Sequence, residues 1–532
     1  MNVDLLLRGA EVIDGTGTEA KRADVAISGD KIVAVGDLHD VTAQRTIDLT
    51  GSFLTPGFID IHTHSDVSVL LDPAAESKIL QGVTTEVTGN CGFSAFPLDT
   101  DRLPLHADHI ARIGDDPIDL TWHDLDTYAQ AIEENPPALN VAPLVGHGTV
   151  RVAVMGVDDR RPTSEELARM QELVSQSMQQ GAFGMSTGLT HIPSGYGEED
   201  EVRELARVVG QWDGLYATHS RATPGEGFPA IEEAIRTSQQ AGARLQASHA
   251  AINEPTKWGQ ATQYIALLEQ AESDGLDVAF DVYPYDASSS SLTQYLPAWT
   301  QAGGTEGMRA MMEDPATRER ALTELAAGWM NGIPWFWDRV VISRSGPGRE
   351  ECVGLTIKDA AERAGVDPAT FTLDLCLEHG NSVQVVLFYR TEEDMMEFLA
   401  HRLSVVGSDG SAVPLDQQGL KPHPRGFGTF PRVLGRYVRE KGLMSLPEAV
   451  RKMTSAVAER LQIQDRGVIR AGAVADLVAF DPTKVIDQAS FEEPAREPIG
   501  ISHVIVNGTL TVQDGSLTSA RAGKVLRHIN AA

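Results

Sequence analysis

A repeated order of helix, glycine and strand in the middle of this 532-residue chain constrains its fold more than any other feature. In the clearest repeat, Thr163 and Glu166 have capping-box spacing, apolar residues follow with helical periodicity, and Gly181 precedes a predicted strand at 183–189. The same order recurs with predicted helices at 231–241 and 261–273 and predicted strands at 244–248 and 277–283. Repeated units of this kind are typical of parallel sheets, and they predict an α/β fold built on a TIM-like (β/α)8 barrel.

The two ends of the chain have a different pattern from the middle. Short β patterns separated by Gly, Asp and Thr occupy residues 1–56, and strand-like runs recur at 475–481 and 501–508. We therefore predict that segments 1–56 and 466–532 pair into a small β-sandwich domain, and that residues 57–465 form the catalytic barrel.

One stretch of the barrel segment does not keep the repeated order. Residues 292–338 are helix-prone and rich in Trp, Met and Gly. We interpret them as a helical insertion beside the mouth of the active site, and an ordinary long helical connection is the alternative.

Charge and cysteine content narrow the class of protein. The 75 acidic residues outnumber the 44 basic ones, and a net charge of -31 opposes general affinity for nucleic acid or anionic lipid and favours small-molecule chemistry. Three cysteines are too few for a disulfide framework, which suits the reducing cytoplasm. The start of the chain lacks the features of a signal peptide, and no run approaches the roughly 18 to 20 apolar residues of a membrane span. We expect a soluble cytoplasmic protein, and both a monomer and a homo-oligomer stay open.

Two histidines at the end of a short apolar strand, His62 and His64, are the first sign of chemistry. Side chains on a strand alternate between its faces, so two histidines separated by one residue leave the same face and can converge on one metal ion. The alternative for an isolated pair is that both histidines happen to lie in a polar turn.

Four further polar residues follow other strand-like runs: Cys91, His219, His249 and Asp409. Imidazole nitrogen and thiolate sulfur are ligands that zinc prefers, and a nearby carboxylate can take a proton from water activated by the metal. A single buried cysteine is usually inert core, and a lone histidine is more often a hydrogen-bonding neighbour than a ligand. Their joint occurrence at strand ends favours a zinc centre over these separate explanations.

Beyond these residues, the chain resembles the amidohydrolase superfamily, and within it the N-acyl-D-amino-acid deacylases or D-aminoacylases. The likeness covers nearly the whole chain and rests on motifs at 57–66, 89–92, 146–151, 181–189, 283–285, 407–410 and 423–434. The last of these is the most specific. The resemblance implies a metal-containing barrel with a β-sandwich built from both termini.

The resemblance also implies roles for individual residues. Cys91, His219 and His249 would bind one zinc ion (Zn2+) tightly, whereas His62 and His64 would serve a second, weaker metal position that Cys91 could bridge. Asp409, beside the metal, would be the general base that takes a proton from the attacking water and delivers it to the departing nitrogen. Substrate contacts would come from Arg425, which can clamp a carboxylate with two hydrogen bonds, and from Tyr283, Ser289 and His191.

The sequence departs from this family only around the substrate. Ala251 stands where the family typically has a lysine, and His191 stands near the place of a family tyrosine. We therefore predict a zinc-dependent hydrolase that cleaves the amide bond of N-acyl-D-amino acids into a carboxylate and a free D-amino acid. The alternatives are hydrolysis of another small amide, cyclic amide or carbamate, and a non-catalytic binding module. Cys91 argues against a hydantoinase-like enzyme, which usually has a bridging lysine.

Overall fold

A closed barrel of parallel strands forms the centre of the computed structural model, which describes residues 1–222, 224–330 and 332–528. The barrel strands are Phe58–Asp60, Val83–Thr88, Asn140–Pro143 continued by Val145–Gly146, Gly184–Gly188, Leu215–His219, Arg244–Ala247, Val278–Val282 and Ser404–Val406. Each strand pairs in parallel with the next. Hydrogen bonds from Asp409 N to His62 O, 2.8 Å, and from His64 N to Gly410 O, 3.3 Å, join the last strand to the first. The predicted (β/α)8 barrel is confirmed.

Helices surround this barrel and separate its strands along the chain. They are Ser68–Leu71, Glu76–Ile79, Leu103–Ile110, Leu125–Glu134, His147–Met155, Ser164–Gln179, Glu199–Gly210, Pro229–Ala241, Ala261–Ser273, Glu392–Ala400, Arg425–Arg432, the π-helical Val433–Glu440, Leu446–Met453 and Ser455–Arg460. The predicted capping box is present, because the Thr163 side chain accepts from Glu166 N and the Glu166 side chain accepts from Thr163 N. In the described part of the chain, no helix has both the length and the apolar character needed to cross a membrane.

Both chain ends contribute to one β-sheet beside the barrel. Its strands are Asn2–Val12, Lys21–Ser28, Lys31–Gly36, Thr42–Asp48, Phe53–Pro56, Leu477–Phe480, Ile501–Val506, Thr509–Gln513 and Ser516–Leu517. Antiparallel pairing of Phe53–Pro56 with Leu477–Phe480 joins the N-terminal and C-terminal segments. The β-rich terminal unit therefore forms as predicted, although Asn2–Val12 also pairs in parallel with Thr42–Asp48, which simple hairpins would not do. The domain boundaries at 56 and 466 stay predictions.

A separate lobe with its own core lies between the last two barrel strands. Its sheet consists of Ser288–Ser291, Gln384–Leu387 and Val340–Arg344, and its helices are Gly304–Met311, Pro315–Ala327, Ile357–Ala364 and Pro368–His379. Buried apolar residues between positions 292 and 389 form a cluster distinct from that of the barrel. This lobe is longer than the predicted insertion at 292–338, because Val340–Arg344 pairs with Gln384–Leu387 inside it rather than with a barrel strand.

Candidate metal centre and active site

Imidazoles from three barrel strands surround the thiol of Cys91 at the carboxyl end of the barrel. The sulfur lies 3.3 Å from His62 Nε2, 3.4 Å from His249 Nε2 and 3.7 Å from His219 Nδ1. Residues as far as 158 positions apart in sequence are thus within contact distance, because the carboxyl ends of parallel barrel strands meet at one face.

Asp409 completes this cluster from the end of the last barrel strand. Its Oδ1 lies 3.0 Å from His64 Nε2 and 3.4 Å from His62 Nε2. The ligand atoms of His62, His64, Cys91 and Asp409 all lie within 4.8 Å of one another. The structure therefore brings together all six side chains for which the sequence predicts a place at the metal.

The backbone at this cluster has an unusual conformation. Cys91, His249 and Asp409 have φ angles of 52°, 36° and 55°, in the left-handed region that non-glycine residues rarely occupy. Such residues cost about 1–3 kcal/mol each and concentrate at functional sites. Gly188 approaches closely, since a Cβ there would lie 2.0 Å from the carbonyl oxygen of Cys91. The fold holds these side chains at a conformational cost.

Hydrogen bonds on the far side of two rings set which nitrogen faces the thiol. His62 Nδ1 donates to Asp281 Oδ1 at 2.9 Å, which leaves Nε2 free. The Nε2 of His219 lies 2.7 Å from Thr190 Oγ1, which suits the tautomer that leaves Nδ1 free. Gln294 Nε2 donates to the same Thr190 oxygen at 2.9 Å and so links the insertion lobe to the centre. Partners of this kind orient metal-binding histidines.

Asp281 is a site residue that the sequence analysis missed. Besides holding His62, its Oδ1 accepts a hydrogen bond from His249 N at 2.8 Å, and its Oδ2 accepts one from Gln246 Nε2 at 3.0 Å. The available signal was a carboxylate inside an otherwise apolar barrel strand, because a fully buried charge needs partners.

Lys78 is a second missed residue. Its fully buried Nζ donates to Asp60 Oδ2 at 2.9 Å and to Ser408 Oγ at 2.7 Å, and it lies 3.0 Å from Glu86 Oε1. Burial opposes its charge, but Asp60 and Glu86 outweigh burial and raise the pKa of Lys78. Since Asp60 Oδ1 also accepts from Ser408 N at 2.8 Å, this network joins the two strands that carry His62 and Asp409.

The protonation states of the cluster suit metal binding. Burial opposes ionisation of Cys91, but the charges of His62 and His249 outweigh it and hold the pKa of the thiol well below its usual value. Burial likewise opposes ionisation of Asp409, but Arg425 and His62 outweigh it, so its pKa also lies well below the usual value. Burial and the neighbouring His249 lower the pKa of His219 to about 3, which keeps the imidazole neutral. Thiolate, carboxylate and neutral imidazole are the forms that bind metals.

The pKa values of two other imidazoles are raised rather than lowered, because the negative charges of the thiolate and carboxylates favour the protonated ring. Burial disfavours protonated His62 and His64, yet Asp281 and Cys91 raise the pKa of His62 well above its usual value, and Asp409 and Cys91 raise that of His64 to about 9. A divalent cation would neutralise the same negative charge and displace these protons. The buried Nδ1 of His64 has no hydrogen-bond partner among the described residues. The donor set of nitrogen, sulfur and carboxylate oxygen therefore fits zinc.

A cavity of about 900 Å³ opens above the cluster, and three predicted substrate residues meet in it. Arg425 Nη1 lies 2.7 Å from Asp409 Oδ2, and its Nη2 donates to Ser289 O at 3.2 Å. The same guanidinium lies 4.8 Å from the centre of the Tyr283 ring. The Tyr283 hydroxyl is buried and has no hydrogen-bond partner within the described residues.

Arg390 is a cavity residue that no sequence motif indicates. Its guanidinium lies 4.7 Å from the centre of the Tyr283 ring, and its Nε donates to Asn253 Oδ1 at 2.7 Å. Among residues 1–222, 224–330 and 332–528, it forms no ion pair with a carboxylate. The cavity therefore offers a positive charge to an anionic ligand.

The remaining predicted substrate residue, His191, lies deeper than the others. Its ring centre is 4.7 Å from that of His219, and its ligand atom forms a close group with those of Cys91 and His219. The structure therefore places it against the candidate metal ligands Cys91 and His219 as well as the cavity.

Comparisons with known proteins agree with this architecture. The profile of the amidohydrolase family matches residues 45–512. The N-acyl-D-glutamate deacylase of Alcaligenes xylosoxydans xylosoxydans is 34% identical, with 99% of this chain and 96% of that protein covered. The D-aminoacylase of the same organism is 36% identical, with 98% of this chain and 97% of that protein covered.

A solved structure extends this likeness to three dimensions. The N-acyl-D-glutamate deacylase of Bordetella bronchiseptica, complexed with zinc and a phosphonate inhibitor that mimics the tetrahedral intermediate, has a TM-score of 0.83 and 33% identity. The alignment covers 99% of this chain and 100% of that chain. A D-hydantoinase from a Bacillus species, with a TM-score of 0.57 and 16% identity, shares the fold. This chain therefore belongs to the amidohydrolase family, in its D-aminoacylase group.

Proposed function

We propose that this protein is a zinc-dependent deacylase that hydrolyses N-acyl-D-amino acids to a carboxylate and a free D-amino acid. The observation that carries the proposal is the convergence of a thiolate, four imidazoles and the Asp409 carboxylate beneath a cavity of about 900 Å³. The similar proteins named above act, by their names, on N-acyl-D-glutamate or on N-acylated D-amino acids, and they align over nearly their whole length.

Cys91, His219 and His249 would hold the tightly bound zinc ion, and His62 and His64 would serve a second, weaker position. Bound zinc would polarise the amide carbonyl and make water nucleophilic at neutral pH. The hydrogen bonds of His62 to Asp281 and of His219 to Thr190 keep the metal-facing nitrogens oriented.

Asp409 would move the proton. Its Oδ2 pairs with Arg425, whereas its Oδ1 faces His62 and His64, so Oδ1 is positioned to accept the proton of the attacking water. The same oxygen can then deliver the proton to the departing amide nitrogen, so a single carboxylate serves as base and acid.

Arg425 and Arg390 would bind the carboxylate of the substrate, because the guanidinium groups of both lie against the Tyr283 ring in the cavity. A guanidinium can clamp a carboxylate with two parallel hydrogen bonds, and the Tyr283 hydroxyl, which has no partner among the described residues, offers a third. Ser289 lies beside Arg425 and would shape the same end of the cavity.

Ala251 keeps a second candidate function open. It lines the cavity and supplies no charge where the family typically has a lysine. A cavity without this charge would also suit a less anionic amide, a cyclic amide or a carbamate.

The cytoplasmic location stays a prediction, and the oligomeric state stays open.

The test combines metal analysis with a substrate panel. Protein purified without chelators should contain zinc and should hydrolyse N-acetyl-D-amino acids faster than their L enantiomers and faster than hydantoins. A chain that contains no divalent metal, or that opens hydantoins while leaving the acyl amino acids intact, would contradict the proposal.

A further inference from the structure

His191 is buried beside two of the candidate metal ligands, Cys91 and His219. Only 7% of the residue is exposed. Its ring stands at 69° to that of His219 with the centres 4.7 Å apart, and the ligand atoms of Cys91, His191 and His219 all lie within 4.8 Å of one another. Two groups of side chains can therefore hold a metal, and they share Cys91: this one, and the group of His62, His64 and Asp409.

One ring nitrogen of His191 has no hydrogen-bonding role within the described residues. Its Nδ1 is buried and has no hydrogen-bond partner among the described residues. The backbone is fixed on both sides, since His191 N donates to Gly188 O at 2.8 Å and Gly195 N donates to His191 O at 2.7 Å. A buried histidine with a purely structural role normally has its ring nitrogens hydrogen-bonded. The fold instead holds this ring against Cys91 and His219.

His109 is a natural comparison for His191. Both histidines pack against Phe93, whose ring centre lies 4.8 Å from that of His109 and 5.0 Å from that of His191. His109 is only 3% exposed. Both ring nitrogens of His109 also lack partners within the described residues. His109 does not belong to either metal-binding group, so burial against Phe93 alone does not bring a histidine to the centre.

We propose that His191 is a metal ligand of this protein, which binds together with Cys91 and His219. The proposal rests on the zinc dependence proposed above, but not on the identity of the substrate. Together with His249, whose Nε2 lies 3.4 Å from Cys91 Sγ, it would raise the number of protein ligands from three to four. Four protein ligands are typical of structural zinc sites, so a fourth ligand would strengthen binding of the ion that Cys91, His219 and His249 are proposed to hold tightly.

The experiment measures coordination directly. Wild-type protein and the variants His191→Phe, His191→Gln and His109→Phe are each loaded with one equivalent of zinc. X-ray absorption at the zinc edge then counts the bound imidazoles, and competition with a chromophoric chelator measures affinity. We expect one imidazole fewer in both His191 variants and a loss of affinity above about 100-fold, more than the about 10- to 100-fold produced by losing an outer hydrogen-bond partner. His109→Phe should match the wild type.

An unchanged imidazole count in both His191 variants overturns the proposal, whatever the affinity. Thermal unfolding of each variant checks that it is folded, and the smaller His191→Gln substitution carries the test if the phenylalanine variant does not fold. Zinc binding through His191 in a protein without deacylase activity would contradict the proposed function alone. Deacylase activity with an unchanged count would contradict this assignment alone.

Discussion

The metal centre and the wall of the cavity above it come from different parts of the chain. The candidate metal ligands stand at the carboxyl ends of barrel strands, and the side chains of His62 and His219 are fixed by further hydrogen bonds. Much of the wall comes from the insertion lobe and the segment after it, where Arg390 has no carboxylate partner in the described chain. We therefore expect the barrel to determine the chemistry and the wall to determine which substrate is bound.

The largest expected effect is at Asp409, because it belongs to the centre and also contacts Arg425 of the wall. Asp409→Asn removes the proton acceptor while Cys91 and the imidazoles remain, so we expect kcat to fall by about 10²–10⁴-fold with zinc retained. Steady-state kinetics and metal analysis of the same preparation check this. Asp416→Asn, at an exposed acid of the cavity wall, is the control and should leave kcat unchanged. An Asp409→Asn enzyme with unchanged kcat would contradict the assignment of the chemistry to the centre rather than to the wall.

Lys78 tests whether the buried ion network beside the metal centre stabilises the fold. In Lys78→Met, the buried carboxyl groups of Asp60 and Glu86 lose the cation that pairs with them, and removing one member of a buried ion pair costs about 3–5 kcal/mol. Denaturant unfolding measures this loss. Lys31→Met breaks the half-exposed pair with Asp465 and should cost only about 0–1 kcal/mol. Equal losses in the two variants would show that the buried network contributes no more than a surface pair.

The same two regions differ in how far they could be predicted. The candidate metal ligands could be predicted because each lies at or just after the end of a strand with a local pattern, and the barrel places all such positions on one face. Asp281 was missed because its partner His62 lies 219 positions earlier in sequence. The extent of the insertion lobe was underestimated for a similar reason: Val340–Arg344 has the pattern of a strand, but only its distant pairing with Gln384–Leu387 shows to which sheet it belongs.

Arg425 and Arg390 are two cationic residues of the wall with different surroundings. Both lie against Tyr283, but only Arg425 contacts Asp409. Arg390→Met should raise KM by about tenfold or more, for a lost charged hydrogen bond of about 1.5–3 kcal/mol, with kcat unchanged. Arg425→Lys should raise KM and also lower kcat, because it disturbs the carboxylate that moves the proton. Kinetics on one N-acetyl-D-amino acid separate the two, and a lower kcat in Arg390→Met would contradict the division of roles.

The smallest expected effect is at Ala251, where the wall has no charge. A lysine there would add a cation to the cavity, and a unit charge 4 Å from a carboxylate in water gains about 1 kcal/mol, or roughly fivefold in affinity. We expect Ala251→Lys to lower KM for N-acetyl-D-glutamate relative to N-acetyl-D-leucine, whereas Ala251→Met, which adds length without charge, should leave the ratio unchanged. Because salt screens an exposed charge, the gain should shrink at high ionic strength. A ratio that moves equally in both variants would mean that shape rather than charge at this position governs the choice of substrate.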